Sequence, residues 1–207
     1  PGAFGSFVGR LDLEITDGKI TGERYELLEV DADAYTPQPE VQQLIDQIEA
    51  PFTDAINKVH GYSTVPLYRY FVVENTMDTL ILDALWWRIG TEIVLSNGFR
   101  FCPPRNLGPD GRVAITEGYI FDMLPVDSTV RTAKASGKQL YDWLEKELNN
   151  VFAKDASKRF GGWVVKFKGM EIEFNAFGEQ GERLKKVTIG GQPLQPDRVY
   201  SICACER

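Results

Sequence analysis

The sequence predicts an α+β fold, a mixed sheet with packed helices, preceded by a β-hairpin and a connecting helix. Three observations predict it. The C-terminal part holds four short strand-like runs, Trp163–Phe167, Met170–Asn175, Arg183–Ile189 and Arg198–Cys205, with turns at Lys168-Gly169 and Gly190-Gly191. Apolar stripes at helical spacing interrupt the strands upstream. Strands and helices do not alternate as regular βαβ units, which favours α+β over a doubly wound sheet. At 207 residues the chain is long enough to bury roughly 70% of its unfolded surface without staples.

The N-terminal segment alternates as Phe7, Gly9, Leu11, Leu13 and Ile15, the pattern of a strand with one buried face. Asp17-Gly18 is a strong hairpin turn, and a second strand is expected from Lys19 to Val30. A linker rich in Asp and Pro spans Asp31–Pro39. A long helix is predicted from Glu40 to His60, carrying Val41, Leu44, Ile45, Ile48, Phe52, Ala55, Ile56 and Val59 as one stripe. Pro51 should kink it or divide it. The main domain starts near Tyr62, with a strand expected at Val65–Val73.

A helix from Thr76 to Ile89 turns Met77, Leu80, Ile81, Ala84 and Leu85 inward, with Asn75 or Thr76 as cap and Asp78 in its first turn. Glu92–Leu95 reads as a short buried strand and Pro103–Gly111 as a loop. Thr116 caps a short helix from Glu117 to Leu124, and a strand is expected over Val126–Ala135. Ser136-Gly-Lys-Gln139 is a capping box for an amphipathic helix carrying Leu140, Trp143, Leu144, Leu148 and Val151.

Composition narrows the function classes. The chain is 43% hydrophobic and 12% aromatic with a net charge of −7, and no dense run of Lys and Arg follows a phosphate backbone. This argues against a nucleic-acid partner. No apolar run has the length of a membrane span. Cys203 and Cys205 share a strand face, an awkward geometry for pairing with each other, and Cys102 could bridge to either. The opening at Pro1, without Met or a signal-peptide pattern, leads us to expect a piece cut from a longer chain.

Chemistry-bearing constellations are few. A dinuclear metal site needs several His and Asp ligands, and the chain has one histidine, His60, expected at a helix end. There is no Cys cluster with zinc spacing, no P-loop and no Gly-x-Gly-x-x-Gly run. Glu145 and Glu147 are read as a solvated helix face rather than an acid/base pair. Asp83, among apolar neighbours, is either a functional carboxylate or a buried polar anchor.

The stretch Thr91–Phe101 stands out: a strand opens at Ser96-Asn97-Gly98, where small polar residues tolerate positive φ, and Arg100 then sits between Phe99 and Phe101. A guanidinium between two rings beside bare amides suits an anionic or planar ligand. The alternative is a strand-end turn whose Arg makes an ordinary salt bridge.

Several runs together resemble a known family. Glu74-Asn-Thr-Met-Asp-Thr-Leu-Ile-Leu-Asp-Ala84, Leu95-Ser-Asn-Gly-Phe-Arg100, Ile115-Thr-Glu117, Leu124-Pro125 and Ser136-Gly-Lys-Gln-Leu140 look like the C-terminal domain of the 5′-nucleotidase family, over about Tyr62–Cys205. The hairpin Gly5–Val30 is similar to the last strands of that family's N-terminal metallophosphatase domain, and Glu40–His60 to the linker helix. The expected organisation is therefore terminal metallophosphatase strands at 1–30, linker and interdomain helix at 31–61, and the substrate-binding domain at 62–207.

Within the family, Leu144-Glu145, Asn150-Val-Phe152, Asp155, Gly161-Gly162 and Lys168-Gly169 resemble the SoxB-type thiosulfohydrolases of bacterial sulfur oxidation in residue type and spacing.

The resemblance implies a two-domain, metal-dependent hydrolase in the periplasm or outside the cell. Two divalent ions in the N-terminal domain would activate water, and no cofactor would be held by this chain, which would be inactive alone. The C-terminal domain would recognise a small anionic substrate, a nucleotide or a sulfur or phosphate ester, with the metallophosphatase domain in cis and closure by hinge motion. By position, Asn97, Gly98, Phe99, Arg100 and Phe101 would face the substrate, Arg100 holding its anionic group.

The sequence departs from the nucleotidases in a shorter glycine run before the Arg, in Val126 where a stacking Phe follows Leu-Pro, and in Asp78-Thr79 where Gly-Asn is usual. Phe99, Phe101 and Trp163 could substitute in stacking. It departs from the thiosulfohydrolases in Asn97-Gly98 for Pro-Gly and Phe101 for Trp. The reading from a different class is a non-catalytic binding module; the absence of Asp-x-His and Gly-Asn-His metal-ligand motifs upstream of Pro1 would favour it.

Overall fold

The computed structural model describes residues 5–69, 71–97, 103–126 and 128–205. Two compact units divide the chain, Pro1–Ala55 and Ile56–Arg207.

In the first unit, β1 (Phe7–Thr16) and β2 (Lys19–Glu29) form an antiparallel hairpin. Asp17 and Gly18 turn it with φ of 51° and 74°, the pair of positive values that matches strand twist. The expected buried face is not realised. All of β1 is exposed, including Leu11, Leu13 and Ile15, because a two-stranded ribbon alone covers neither face.

The predicted long helix is divided. α1 (Pro39–Glu49) gives way to a 3₁₀ turn at Ala50–Phe52 and a short α2 (Thr53–Ile56). Pro51 explains the break, since it lacks an N–H and its ring crowds the preceding turn.

The second unit runs β3 (Val59–Ser63), α3 (Thr76–Ile89), β4 (Ile93–Ser96), β5 (Val113–Thr116), α4 (Glu117–Met123), β6 (Val130–Ser136), α5 (Gly137–Phe152), β7 (Lys166–Lys168), β8 (Met170–Phe174), β9 (Leu184–Ile189), β10 (Gln192–Pro193) and β11 (Val199–Cys205). Its main sheet has the order β6-β11-β4-β7, with β11 parallel to β4 and the other pairs antiparallel. A three-stranded sheet β10-β9-β8 and a pair β3-β5 complete it. The expected α+β class with a mixed sheet is what forms. Among the described residues no helix is long and apolar enough to cross a membrane.

All four residues of β4 are buried, as expected for a central strand. α5 lays Leu140, Leu144 and Leu148 onto Ile93, Leu95, Val164 and Val187. Each of these leucines is worth about 1.5–3 kcal/mol relative to exposure. Ser136 and Gln139 form the expected capping box, and Thr116 accepts from Tyr119 N to cap α4. A second core gathers Leu67, Met77, Ile81, Val113, Tyr119 and Met123.

The structure departs from the sequence reading at several places. His60 lies in β3 rather than at a helix end, its Nε2 at 3.1 Å from Glu117 Oε2. Among the described residues of Val65–Val73 no strand forms, only the bridge Leu67–Arg105, and the carbonyls of Phe71 and Val72 accept from Lys166 instead of from a ladder. The strand expected from Val126 begins at Val130, and that expected from Trp163 begins at Lys166. Ala84 is exposed, and Leu82 is buried in its place.

Glu145 is not solvated but 6% exposed. Its carboxylate accepts from Leu184 N at 2.6 Å and Gly181 N at 3.1 Å, beside the register shift at Phe174 opposite Leu184. It thus fastens α5 to the start of β9. Glu145→Ala leaves the buried Leu184 amide without its acceptor and should lower unfolding stability by about 1–3 kcal/mol, read by urea denaturation. A change within about 0.5 kcal/mol, as for a surface substitution, would contradict this role.

Candidate functional site

The site is built around the C-terminal end of β4, where Ser96 leads into Asn97. Behind it, α3 begins at a cap in which Asn75 Oδ1 accepts from Asp78 N at 2.7 Å. The Asn75 amide returns a bond from Nδ2 to Asp78 Oδ2, also 2.7 Å. This reciprocal pairing at Ncap and N3 turns the Asp78 carboxylate back over the helix start. Its Oδ1 accepts from Arg69 at 2.9 Å and from the Ser96 hydroxyl at 2.7 Å.

Asp78 is 1% exposed and Arg69 4%. Two charges that far from water are tolerated because three side-chain donors and a helix N-terminus satisfy the carboxylate. The Thr76 hydroxyl donates to Pro66 O at 2.6 Å and accepts from Tyr68 N at 3.3 Å, which binds the segment carrying Arg69 to the same helix.

From the other side comes β7, whose Lys166 stands opposite Ser96 in the ladder. Lys166 Nζ donates to three carbonyls: Val72 and Val164 at 2.7 Å and Phe71 at 3.2 Å. Val164 N also donates to Val72 O at 2.8 Å. Just upstream, the Trp163 indole N–H donates to the main-chain carbonyl of Asn97. Burial pushes the Lys166 ammonium down to about 8; Asp78 and Glu74 oppose that shift and Arg69 adds to it. Beside these groups lies an open cavity of about 250 Å³, bordered by Glu74, Thr79, Leu82, Lys166, Met170 and Glu171.

This arrangement holds rather than reacts. Both Asp78 oxygens are taken by donors, and an ammonium has three protons for the three carbonyls around Lys166. What the cluster does is fix the end of a buried strand from two sides, the rigid support that a binding loop requires.

Of the residues expected at the site, Asn97 is at this strand end; Gly98, Phe99, Arg100 and Phe101 lie outside the described residues. Trp163 is half-buried beside Asn97, whereas Val126 is 63% exposed. Asp83 is not a buried anchor: it is exposed and ion-paired with Lys168, which also stacks its ammonium 4.8 Å over the Trp86 ring. The buried carboxylate of α3 is Asp78, which the sequence reading placed in the first turn of the helix and as a departure from the family's Gly-Asn, not as a buried group. Asn75 and Asp78 stand at capping-box spacing, which marks the helix start but not the burial of the carboxylate.

Asp78→Ala leaves Arg69 charged and uncompensated, and should cost about 3–5 kcal/mol in urea denaturation. A loss below about 1 kcal/mol would show that the pair does not anchor the fold. Lys166 predicts a pH dependence. Its proton leaves at about 8 in the folded protein but at the ordinary 10.5 in the unfolded chain, so between these values the unfolded chain binds more protons and stability rises with pH. The stability difference between wild type and Lys166→Met should therefore move in favour of wild type as pH rises from 8 towards 10.5. A move in the opposite direction would mean that the carbonyl cage, not burial, sets the proton affinity.

Comparison with known proteins agrees with this fold. The family described as 5′-nucleotidase, C-terminal domain, matches residues 57–205. The Trifunctional nucleotide phosphoesterase protein YfkN of Bacillus subtilis (strain 168) is 27% identical over 196 residues, covering 90% of this chain and 13% of that protein. The solved Thermus thermophilus sulfate thiohydrolase SoxB, in complex with glycerol, superposes with a TM-score of 0.86 at 25% identity, covering 97% of this chain and 37% of that one. A 5′-nucleotidase precursor, also from Thermus thermophilus, shares the fold with a TM-score of 0.79 at 21% identity, over 97% of this chain and 40% of its own. The chain thus spans well under half the length of these relatives. With the family match covering most of the sequence, this chain belongs to the 5′-nucleotidase C-terminal domain family.

Proposed function

We propose that this chain is the substrate-recognition domain of a two-domain, metal-dependent hydrolase of the 5′-nucleotidase type, acting on a small anionic ester outside the cytoplasm. The full-length protein would carry a metallophosphatase domain in cis, with 1–30 as its terminal strands, 31–61 as linker and 62–207 as the recognition domain. The observation that carries this reading is the double anchoring of β4's end: Ser96 to Asp78 and Asn97 to Trp163, immediately before Gly98–Phe101. A rigid strand end is where a guanidinium can be held ready for an anion at little loss of conformational entropy. Asn97, Gly98, Phe99, Arg100 and Phe101 are the proposed contacts, with Arg100 on the anionic group.

In this reading the two divalent ions belong to the metallophosphatase domain. Among the described residues no three His, Cys, Asp or Glu side chains converge, and His60 is bonded to Glu117. In this reading the residues of this chain enter as binding groups, and no bond-breaking step is assigned to them.

The second reading, a sulfur-bearing group on a carrier protein, is favoured by the likeness to SoxB. Much of the residue run shared with that branch nonetheless serves the scaffold. Leu144 is core, Glu145 bonds Leu184 N, Asn150 O accepts from Phe160 N at 2.7 Å, and Asp155 caps a 3₁₀ turn. Gly169 has φ of 87°, and a side chain there would meet Glu92 O at 2.0 Å. These residues preserve a backbone without selecting a substrate, so the nucleotide reading stands first.

Isothermal titration of the full-length protein with adenosine 5′-monophosphate and with a cysteine S-sulfonate peptide separates the two. The first reading expects binding of the nucleotide, weakened by about 1.5–3 kcal/mol in Arg100→Ala through loss of charge-assisted bonds. No heat at millimolar nucleotide would reject it, and unchanged affinity in Arg100→Ala would remove that residue from the site.

A further inference from the structure

Trp163 reaches the main chain of a proposed contact residue from a separate part of the fold. Its indole N–H donates to Asn97 O across the gap between β4 and the segment leading to β7. Its own position is set by its neighbour Val164, which is buried and bonded to Val72 O through its N–H and to Lys166 Nζ through its carbonyl. On the opposite side Ser96 is held by Asp78. Asn97 therefore sits between two fixed points that reach it from different elements, α3 and the β7 approach. Trp163 itself is half-buried.

We infer that Trp163 and Ser96 are positioning residues for substrate recognition, forming a two-sided clamp that sets where the Asn97 side chain points. Neither touches the substrate in this role; each acts through Asn97. The inference rests on the reading of Asn97–Phe101 as substrate contacts, and it assigns function to residues outside that stretch.

Two measurements on the full-length protein test it. In kinetics with adenosine 5′-monophosphate, Trp163→Phe keeps an aromatic ring but removes the donor. It should raise KM roughly three- to tenfold, the range of one lost hydrogen bond, with a smaller change in kcat. In an Asn97→Ala background the same change should raise KM no further, since the group being positioned is gone. Trp87→Phe, at a residue 87% exposed, is the control and should leave both constants unchanged. An equal KM factor in both backgrounds, or no KM change in Trp163→Phe, would overturn the inference.

The second measurement needs no substrate. In protein labelled with 15N-tryptophan, the Trp163 indole N–H should exchange with solvent more slowly than that of Trp87, and Ser96→Ala should speed it. Exchange as fast as that of Trp87 would overturn the clamp. If wild type fails to turn over the nucleotide, the functional reading falls on that result, while the exchange rates still decide the clamp.

Discussion

The buried pair between Arg69 and Asp78 is the constraint around which the rest of the second unit is arranged. A carboxylate taken from water must be surrounded by donors, and here they come from separate parts of the chain: Arg69, the Asn75 cap and Ser96 on β4. The Asp78 amide, donating back to Asn75, closes the same turn. Satisfying one group thereby fixes the relative placement of a loop, a helix start and a strand end. Hydrophobic packing alone would not do this, since apolar contacts tolerate sliding whereas hydrogen bonds to a buried charge do not.

The same logic repeats on the other side of the strand end. Lys166 gathers three carbonyls, and so stitches the irregular segment at Phe71-Val72 to the approach of β7. Glu145 performs the equivalent service for α5 and β9. Each of these polar groups reaches a place where regular secondary structure stops and backbone donors or acceptors would otherwise be stranded. The relatives in this fold family carry different names and activities, and a backbone held by such internal ties can present different side chains at one strand end without changing its frame.

Much of the fold was legible because local signals and tertiary contacts agree. Asn75, Thr116 and Ser136 each cap the helix that their position announced, and Asp17-Gly18 turns the hairpin it predicts. Legibility failed where tertiary contacts overrule composition. Val65–Val73 is apolar enough for a strand, but the carbonyls of Phe71 and Val72 are taken by Lys166 rather than by a ladder. Glu145 looks like a surface residue in a helix of mixed charge, and the distant amides of Gly181 and Leu184 explain its burial. Asp83 and Asp78 lie on one helix, and nothing in spacing alone says which is buried. Of the candidate site, the strand and its opening at Ser96-Asn97 could be read from residue types; the buried charges that steady it could not, because their partners lie 9 and 18 residues away in sequence.

We propose that an anion is held by Arg100, three residues beyond an Asn97 whose carbonyl is bonded to Trp163, with Ser96 before it bonded to Asp78. The most direct measurement is a crystal structure of the full-length protein with adenosine 5′-monophosphate bound. The account predicts the Arg100 guanidinium within hydrogen-bonding distance of the nucleotide's anionic group, with Asn97 still bonded through its carbonyl to the Trp163 indole. An Arg100 locked onto a carboxylate of its own chain, with the nucleotide elsewhere, would contradict it.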